Sequence, residues 1–166
     1  MSRMRFLSVL FAILLGSQVS SSAVAGDQPT IVPADTLSEI RAAPETLILG
    51  NATLRMEAYA WRNFMPMAGV KADSRPLSAS IKLIVARGPM VPHRVTGVWI
   101  LQDESIWQLY DMDLPGNSTA NPYEIVVRDG PRLAPHSYID IVVRIGDAKS
   151  GAHFLSVRRQ VINAVE

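Results

Sequence analysis

From Thr46 onward, apolar and polar side chains alternate with a period of two, a pattern that predicts strands and not helices. In the stretch Leu54–Trp61, Leu54, Met56, Ala58 and Ala60 fall on one face and Arg55, Glu57, Tyr59 and Trp61 on the other. Leu77–Arg87 repeats the scheme, with Leu77, Ala79, Ile81, Leu83 and Val85 set against Ser78, Ser80, Lys82, Ile84 and Ala86. Arg94–Gln102 sets Val95, Gly97, Trp99 and Leu101 against Thr96, Val98 and Ile100, and Asp103-Glu104-Ser105 is a polar turn that returns the chain into Ile106–Met112. Short runs at Thr46–Leu49 and Tyr123–Arg128 and a last pair, Tyr138–Ile145 and His153–Ile162, complete the series. Turn signals recur roughly every 8–12 residues, the spacing of an antiparallel β-sandwich. Ile84, Ile139–Val143 and Val161-Ile162 are apolar on both faces, which predicts central strands. No helix-period segment of 10 or more residues separates the strands, which argues against a doubly wound α/β fold.

Upstream of Thr46 the pattern changes. Pro29 and Pro33 hold Gly26–Ala34 extended. Asp35 or Thr36 can cap a helix, Glu39 stands three residues after Thr36, and Pro44 ends the run, so one or two turns are predicted. An N-terminal arm laid over the sheet is the expectation for residues 26–45. Before it, Arg3 and Arg5 precede the apolar Phe6–Leu15, and a Ser-rich stretch leads to Ala23-Val24-Ala25. That is the design of a secretory signal peptide over residues 1–25, cleaved after Ala25. Leu15 gives way to G-S-Q-V-S-S-S, so the apolar run is too short for a stable membrane anchor. A periplasmic or secreted sandwich domain over residues 46–166 is predicted.

Composition narrows the chemistry. The absence of cysteine excludes a disulfide framework, a zinc–thiolate site, a thiol nucleophile and a lipid-bearing cysteine. Without Arg3 and Arg5, 14 basic residues face 15 acidic ones, a net charge of −1 that gives no footprint for nucleic acid.

The segment D-G-P-R-L-A-P-H-S-Y-I-D and the strand pattern over Thr46–Val165 resemble the immunoglobulin-like β-sandwich domains exported by bacteria. The resemblance implies a fold of about 7–8 antiparallel strands, with a tyrosine corner at Tyr138 entering the penultimate strand. The cysteine pair of that family is missing here, and Asp140 stands where a core residue is expected. If Ile139, Ile141 and Val143 face the core, Tyr138 must face outward and the corner is lost.

Four clusters carry candidate chemistry. Met65 and Met67 flank Pro66, and Met90 and His93 sit around a second proline loop. Thioethers and imidazole select Cu(I), so these four form the candidate metal set of a periplasmic copper carrier, although methionine is also ordinary core filler. Asp111, Asp113, Gly116 and Asn117 match the start of an EF-hand loop, but Pro122 stands where the bidentate Glu is needed. His136, Asp140 and His153 can meet across the last strand pair, yet no nucleophile stands beside them and G-x-S-x-G is absent. Tyr59, Trp61 and Phe64 gather at the end of one strand as an aromatic surface for a protein or glycan partner. Trp99 and Trp107, on the arms of one hairpin, are expected in the core. The sequence therefore predicts a non-catalytic binding or structural accessory module without a cofactor, with a copper carrier as the alternative.

Overall fold

The protein is described by a computed structural model for residues 27–66, 68–69, 71, 74–89, 94–110, 121–147 and 151–166. One helix and eight strands occur among the described residues: α1 (Ala34–Ala42), β1 (Thr46–Leu49), β2 (Ala52–Asn63), β3 (Leu77–Arg87), β4 (Arg94–Gln102), β5 (Ser105–Tyr110), β6 (Tyr123–Gly130), β7 (Tyr138–Asp147) and β8 (Gly151–Val165). The leader, Met67, Met90, His93 and the Asp111–Asn117 loop lie outside the described residues.

Two long strands organise the sheet. β2 pairs β3 along one side, from Thr53↔Arg87 to Trp61↔Ser78. Its other side is shared: β1 runs antiparallel beside its first residues, and β8 runs parallel beside Ala60–Asn63. β8 has fifteen residues, enough to pair twice. Its first part runs antiparallel to β7 as far as Tyr138↔Val161, and its end joins β2. The order is β5-β4-β7-β8-β2-β3-β6, with β1 pairing β2 off this path. The all-β reading holds. The antiparallel immunoglobulin-like sandwich does not describe the sheet, which is mixed and curls into a half-barrel around its own core. The reason is β8, which crosses between what would be two layers and brings a parallel pairing with it.

Alternation decides the inner face. Leu54, Met56, Ala60, Leu77, Ala79, Ile81, Leu83, Ile139, Ile141, Val143, Leu155 and Ile162 are buried in one cluster. In β4 the predicted faces are only partly kept. A register shift against β7 between Val95 and Gly97 changes the phase of the strand. Val95, Val98 and Ile100 therefore share the main core, while Trp99 and Leu101 turn to the outer side. The Trp99 ring folds back over Gly97, where an added Cβ would lie 2.3 Å from Cη2.

That outer side is covered. Ile40 and Ala43 of the α1 region pack with Trp99, Leu101, Ile106 and Val142 in a second buried cluster. The helix is longer than the sequence predicts, nine residues, and starts after Pro33 with no side-chain cap. Its C-terminal carbonyls find side-chain donors on β8. Arg158 Nη2 donates to Arg41 O and Ala43 O, and Ser156 Oγ donates to Ala43 O at 2.8 Å. Preceding α1, the extended arm runs beside β5, with Thr30 N–H donating to Ile106 O and Gln108 N–H to Thr30 Oγ1. Asp27 then reaches past β5: its carboxylate pairs with Arg132, just beyond β6, and its carbonyl accepts from Trp107 Nε1. The arm thus shields an edge strand and ties together the two ends of the curled sheet. The Arg132 hydrogen bond holds the Asp27 carboxyl below its usual value against a smaller opposing effect of burial.

Candidate functional site

The outer face of β2, β3 and β6 carries no covering element among the described residues, and its side chains follow from register. Val126 opposes Ser80 on β3, and Ser80 opposes Tyr59 on β2. The parallel pairing aligns Ala60 with Ile162, both buried, so one position earlier Tyr59 and Val161 share the outward side. Val161 in turn opposes Tyr138 on β7. Tyr59, Val126, Tyr138 and Val161 are 36 to 54% exposed. They form a row across five strands, which at the usual strand spacing runs for roughly 19 Å.

Trp61 widens the row at its centre. Its ring stacks on Tyr59, with centroids 5.6 Å apart and planes 28° apart. It opposes Ser78 on one side and Asn163 on the other. The flanking positions are polar. Arg55 and Glu57 pair at 2.5 Å, Ser80 Oγ donates to Glu124, and Lys82 sits between Glu57 and Glu124 in the register. A small cleft of about 150 Å³ lies there, lined by Glu57, Ala58, Tyr59, Ser80 and Lys82. Rings and aliphatic carbons with hydroxyl, amide and charged groups around them suit an amphipathic ligand.

At its β7 end the row opens into a larger cleft of about 260 Å³, lined by Arg41, Gln102, Asp103, Tyr138, Asp140, Arg158 and Arg159 among others. This cleft sits where the covered outer face meets the open one. A register shift after Ile139 leaves one extra residue on β8, and Arg159 takes φ 51° there. Asp140 holds this bulge, its Oδ1 accepting from Arg159 N–H at 2.8 Å and its Oδ2 from Arg158 Nη1 at 2.9 Å. The Arg159 guanidinium lies over the Tyr138 ring, 5.0 Å from its centroid.

The sequence candidates separate. Tyr59 and Trp61 belong to the row. Phe64 does not: it is half-buried past the end of β2, with the Arg62 guanidinium 5.0 Å from its ring centroid. Trp99 and Trp107 are buried. Of the soft-metal set only Met65 is described; it is 47% exposed, and its N–H donates to Asn63 Oδ1. Among the described residues no three His, Asp or Glu side chains gather to hold a metal. The His136–Asp140–His153 grouping is overturned. His153 opposes Ile145, near the far end of β7, whereas His136 precedes its start. About seven residues of strand, roughly 23 Å, separate those ends. The tyrosine corner is overturned as well: Ile139, Ile141 and Val143 fill the core, and Tyr138 faces solvent.

Three residues of the row, Val126, Val161 and Tyr138, escaped sequence reasoning, because only the pairing of distant strands aligns them with Tyr59. Tyr138 carried a signal, since the outward alternative for it followed directly from an inward Ile139.

No family model matches the chain, and no curated protein matches it. Among solved structures, a domain of the outer membrane lipoprotein Omp28 from Porphyromonas gingivalis is similar over 75% of this chain and 99% of its own, with 12% identity and a TM-score of 0.43. That likeness is too distant to assign a role, so function rests on the site.

Proposed function

We propose that this protein is an exported, non-catalytic binding module, periplasmic or secreted, whose open outer face carries a glycan. The observation that carries the reading is the row Val126–Tyr59–Val161–Tyr138 with Trp61 stacked at its centre. Aromatic faces take the apolar sides of sugar rings, and Ser78, Ser80, Asn163, Glu57 and Lys82 supply donors and acceptors for hydroxyl groups. A row one side chain wide on a convex sheet suits a linear chain better than a protein partner, which needs a broad, fully desolvated centre. The leader pattern of residues 1–25 supports export. Among the described residues, the one grouping that could have served catalysis is broken by the separation of His136 and His153.

Tryptophan fluorescence tests this, because Trp99 and Trp107 are buried and Trp61 alone lies on the row. Oligogalacturonates, chitooligosaccharides and maltooligosaccharides serve as probes. At least one is expected to change the emission and saturate, and Tyr59→Ala and Trp61→Ala are each expected to weaken binding about 10-fold. Saturation by none of the three, or binding indifferent to both substitutions, would sink the proposal. A protein captured through the same two side chains would move the partner from glycan to protein.

A further inference from the structure

The cleft at the β7 end of the row has a composition that the row lacks. Three guanidinium groups line it, from Arg41, Arg158 and Arg159, against two carboxylates, from Asp103 and Asp140. They are not equally engaged. Arg158 is committed on both Nη atoms, to Asp140 and to the α1 carbonyls. Both Asp140 oxygens are likewise taken. The Arg159 guanidinium has no hydrogen bond or carboxylate among the described residues; its neighbour is the Tyr138 ring. Arg41 Nη1 donates to Asp103 O and Nη2 to Glu104 O, so the hairpin holds it in place; its one ion pair, with the 98% exposed Glu104 at 3.2 Å, is solvated and leaves its charge open to a better acceptor.

From this arrangement we infer that the cleft is a carboxylate subsite, and that the glycan carried by the row is acidic, a polymer of uronic acid type. The inference rests on the glycan reading of the row. Arg159 holds a planar fork of donors, matched to a carboxylate, over the Tyr138 ring at the end of the row. Arg41 closes the other side of the cleft, from the last turn of α1 and next to the β4–β5 hairpin. A glycan that follows the row from Tyr59 past Val161 brings the substituent of its last sugar to this cleft, and a neutral substituent leaves Arg159 without an acceptor. Asp103 is the one acid of the cleft with no engaged side-chain oxygen among the described residues, and it opposes the anion.

The experiment compares oligogalacturonate with its methyl ester, which keeps the sugar ring and removes the charge. Binding to the full chain is followed by calorimetry at low and high salt. The acid form is expected to bind about 10-fold more tightly than the ester, and added salt is expected to erase the difference. Arg159→Gln is expected to remove the preference for the acid, weakening the acid form about 10-fold and the ester far less, while the Arg159 backbone bond to Asp140 is kept. Asp103→Asn is expected to tighten the acid form alone; Asp103 has φ 52°, a conformation that asparagine tolerates. Equal binding of acid and ester, or a preference that survives Arg159→Gln, overturns the carboxylate subsite and leaves the glycan reading standing. Binding of chitooligosaccharides or maltooligosaccharides but of neither galacturonate form has the same meaning. Failure of every saccharide overturns both.

Discussion

The two halves of the sheet treat their outer faces in opposite ways. Where β4, β5 and β7 run, the outward positions are Trp99, Leu101, Ile106 and Val142, and α1 with the arm lies on them. Where β2, β3 and β6 run, the outward positions are mostly Arg55, Glu57, Ser78, Ser80, Lys82 and Glu124, and nothing described covers them. Each half obeys the same rule, that an apolar outward side chain is given a cover and a polar one is given water. Single exceptions stand at Ile31, Ile48 and Met65, and the rule fails over a continuous row on the sheet. Tyr59, Trp61, Val126, Val161 and Tyr138 are apolar or aromatic, they point outward, and the helix stops short of them at Ala42. A fold that covers Trp99 and leaves Tyr59 bare has a use for the bare one.

The largest expected effect contrasts those two residues. Trp99→Ala removes a buried ring from beneath α1 and is expected to cost about 3–5 kcal/mol in urea denaturation. Tyr59→Ala on the open face should stay within about 0.5 kcal/mol. Comparable losses at the two sites would erase the distinction between the halves. Next in size is Gly97→Ala, which forces the Trp99 ring aside; overpacking of this kind costs about 1–3 kcal/mol. The same change at an open position, Ser80→Ala, should be close to silent in the same assay.

A smaller effect belongs to the arm and depends on pH. The folded-state pKa of Asp27 is depressed, first by its hydrogen bond to Arg132, with Arg62 adding a weaker favourable field. The sign follows: the stabilisation is present above the ordinary carboxylate pKa and is lost as pH falls through the lower folded value. Acid should therefore loosen the arm before the core. Amide exchange at Thr30 and Gln108, whose N–H groups join the arm to β5, should gain a pH dependence that Asp27→Asn abolishes. Arm amides that keep full protection through the acid range would show that the strap does not hang on this ion pair. The smallest effect concerns Met65. If a copper site exists, Cu(I) titration under reducing conditions gives a stoichiometric complex that Met65→Leu weakens; no uptake removes the carrier alternative.

Much of the fold could be read from alternation, because a half-buried strand writes its burial into every second residue. β2 and β3 show this, with Leu54, Met56, Leu77, Ala79, Ile81 and Leu83 on the inside as the pattern requires. Apolar runs on both faces likewise marked β7 as a covered strand, and α1 supplies the cover over Val142. What alternation does not encode is a change of phase. A shift at Gly97 moved Trp99 and Leu101 to the outer cluster, and a second one beside Arg159 shaped the arginine cleft. Nor does it encode which distant strands meet. The parallel joining of β2 to β8 rests on only four paired positions, and it alone places Tyr138 and Val161 in line with Tyr59. The sequence singled out the stacked pair Tyr59 and Trp61, but the row and the cleft at its end exist only after that joining.

The most direct test of the open face as the working surface is amide chemical-shift mapping during titration with oligogalacturonate. Shifts are expected at Tyr59, Trp61, Val126, Val161, Tyr138 and Arg159 and their neighbours, touching α1 only at Arg41 where it lines the cleft, with the rest of α1 and its contacts on Trp99 unchanged. Shifts centred on α1 and β4, or none at saturating saccharide, would contradict the open face as the working surface.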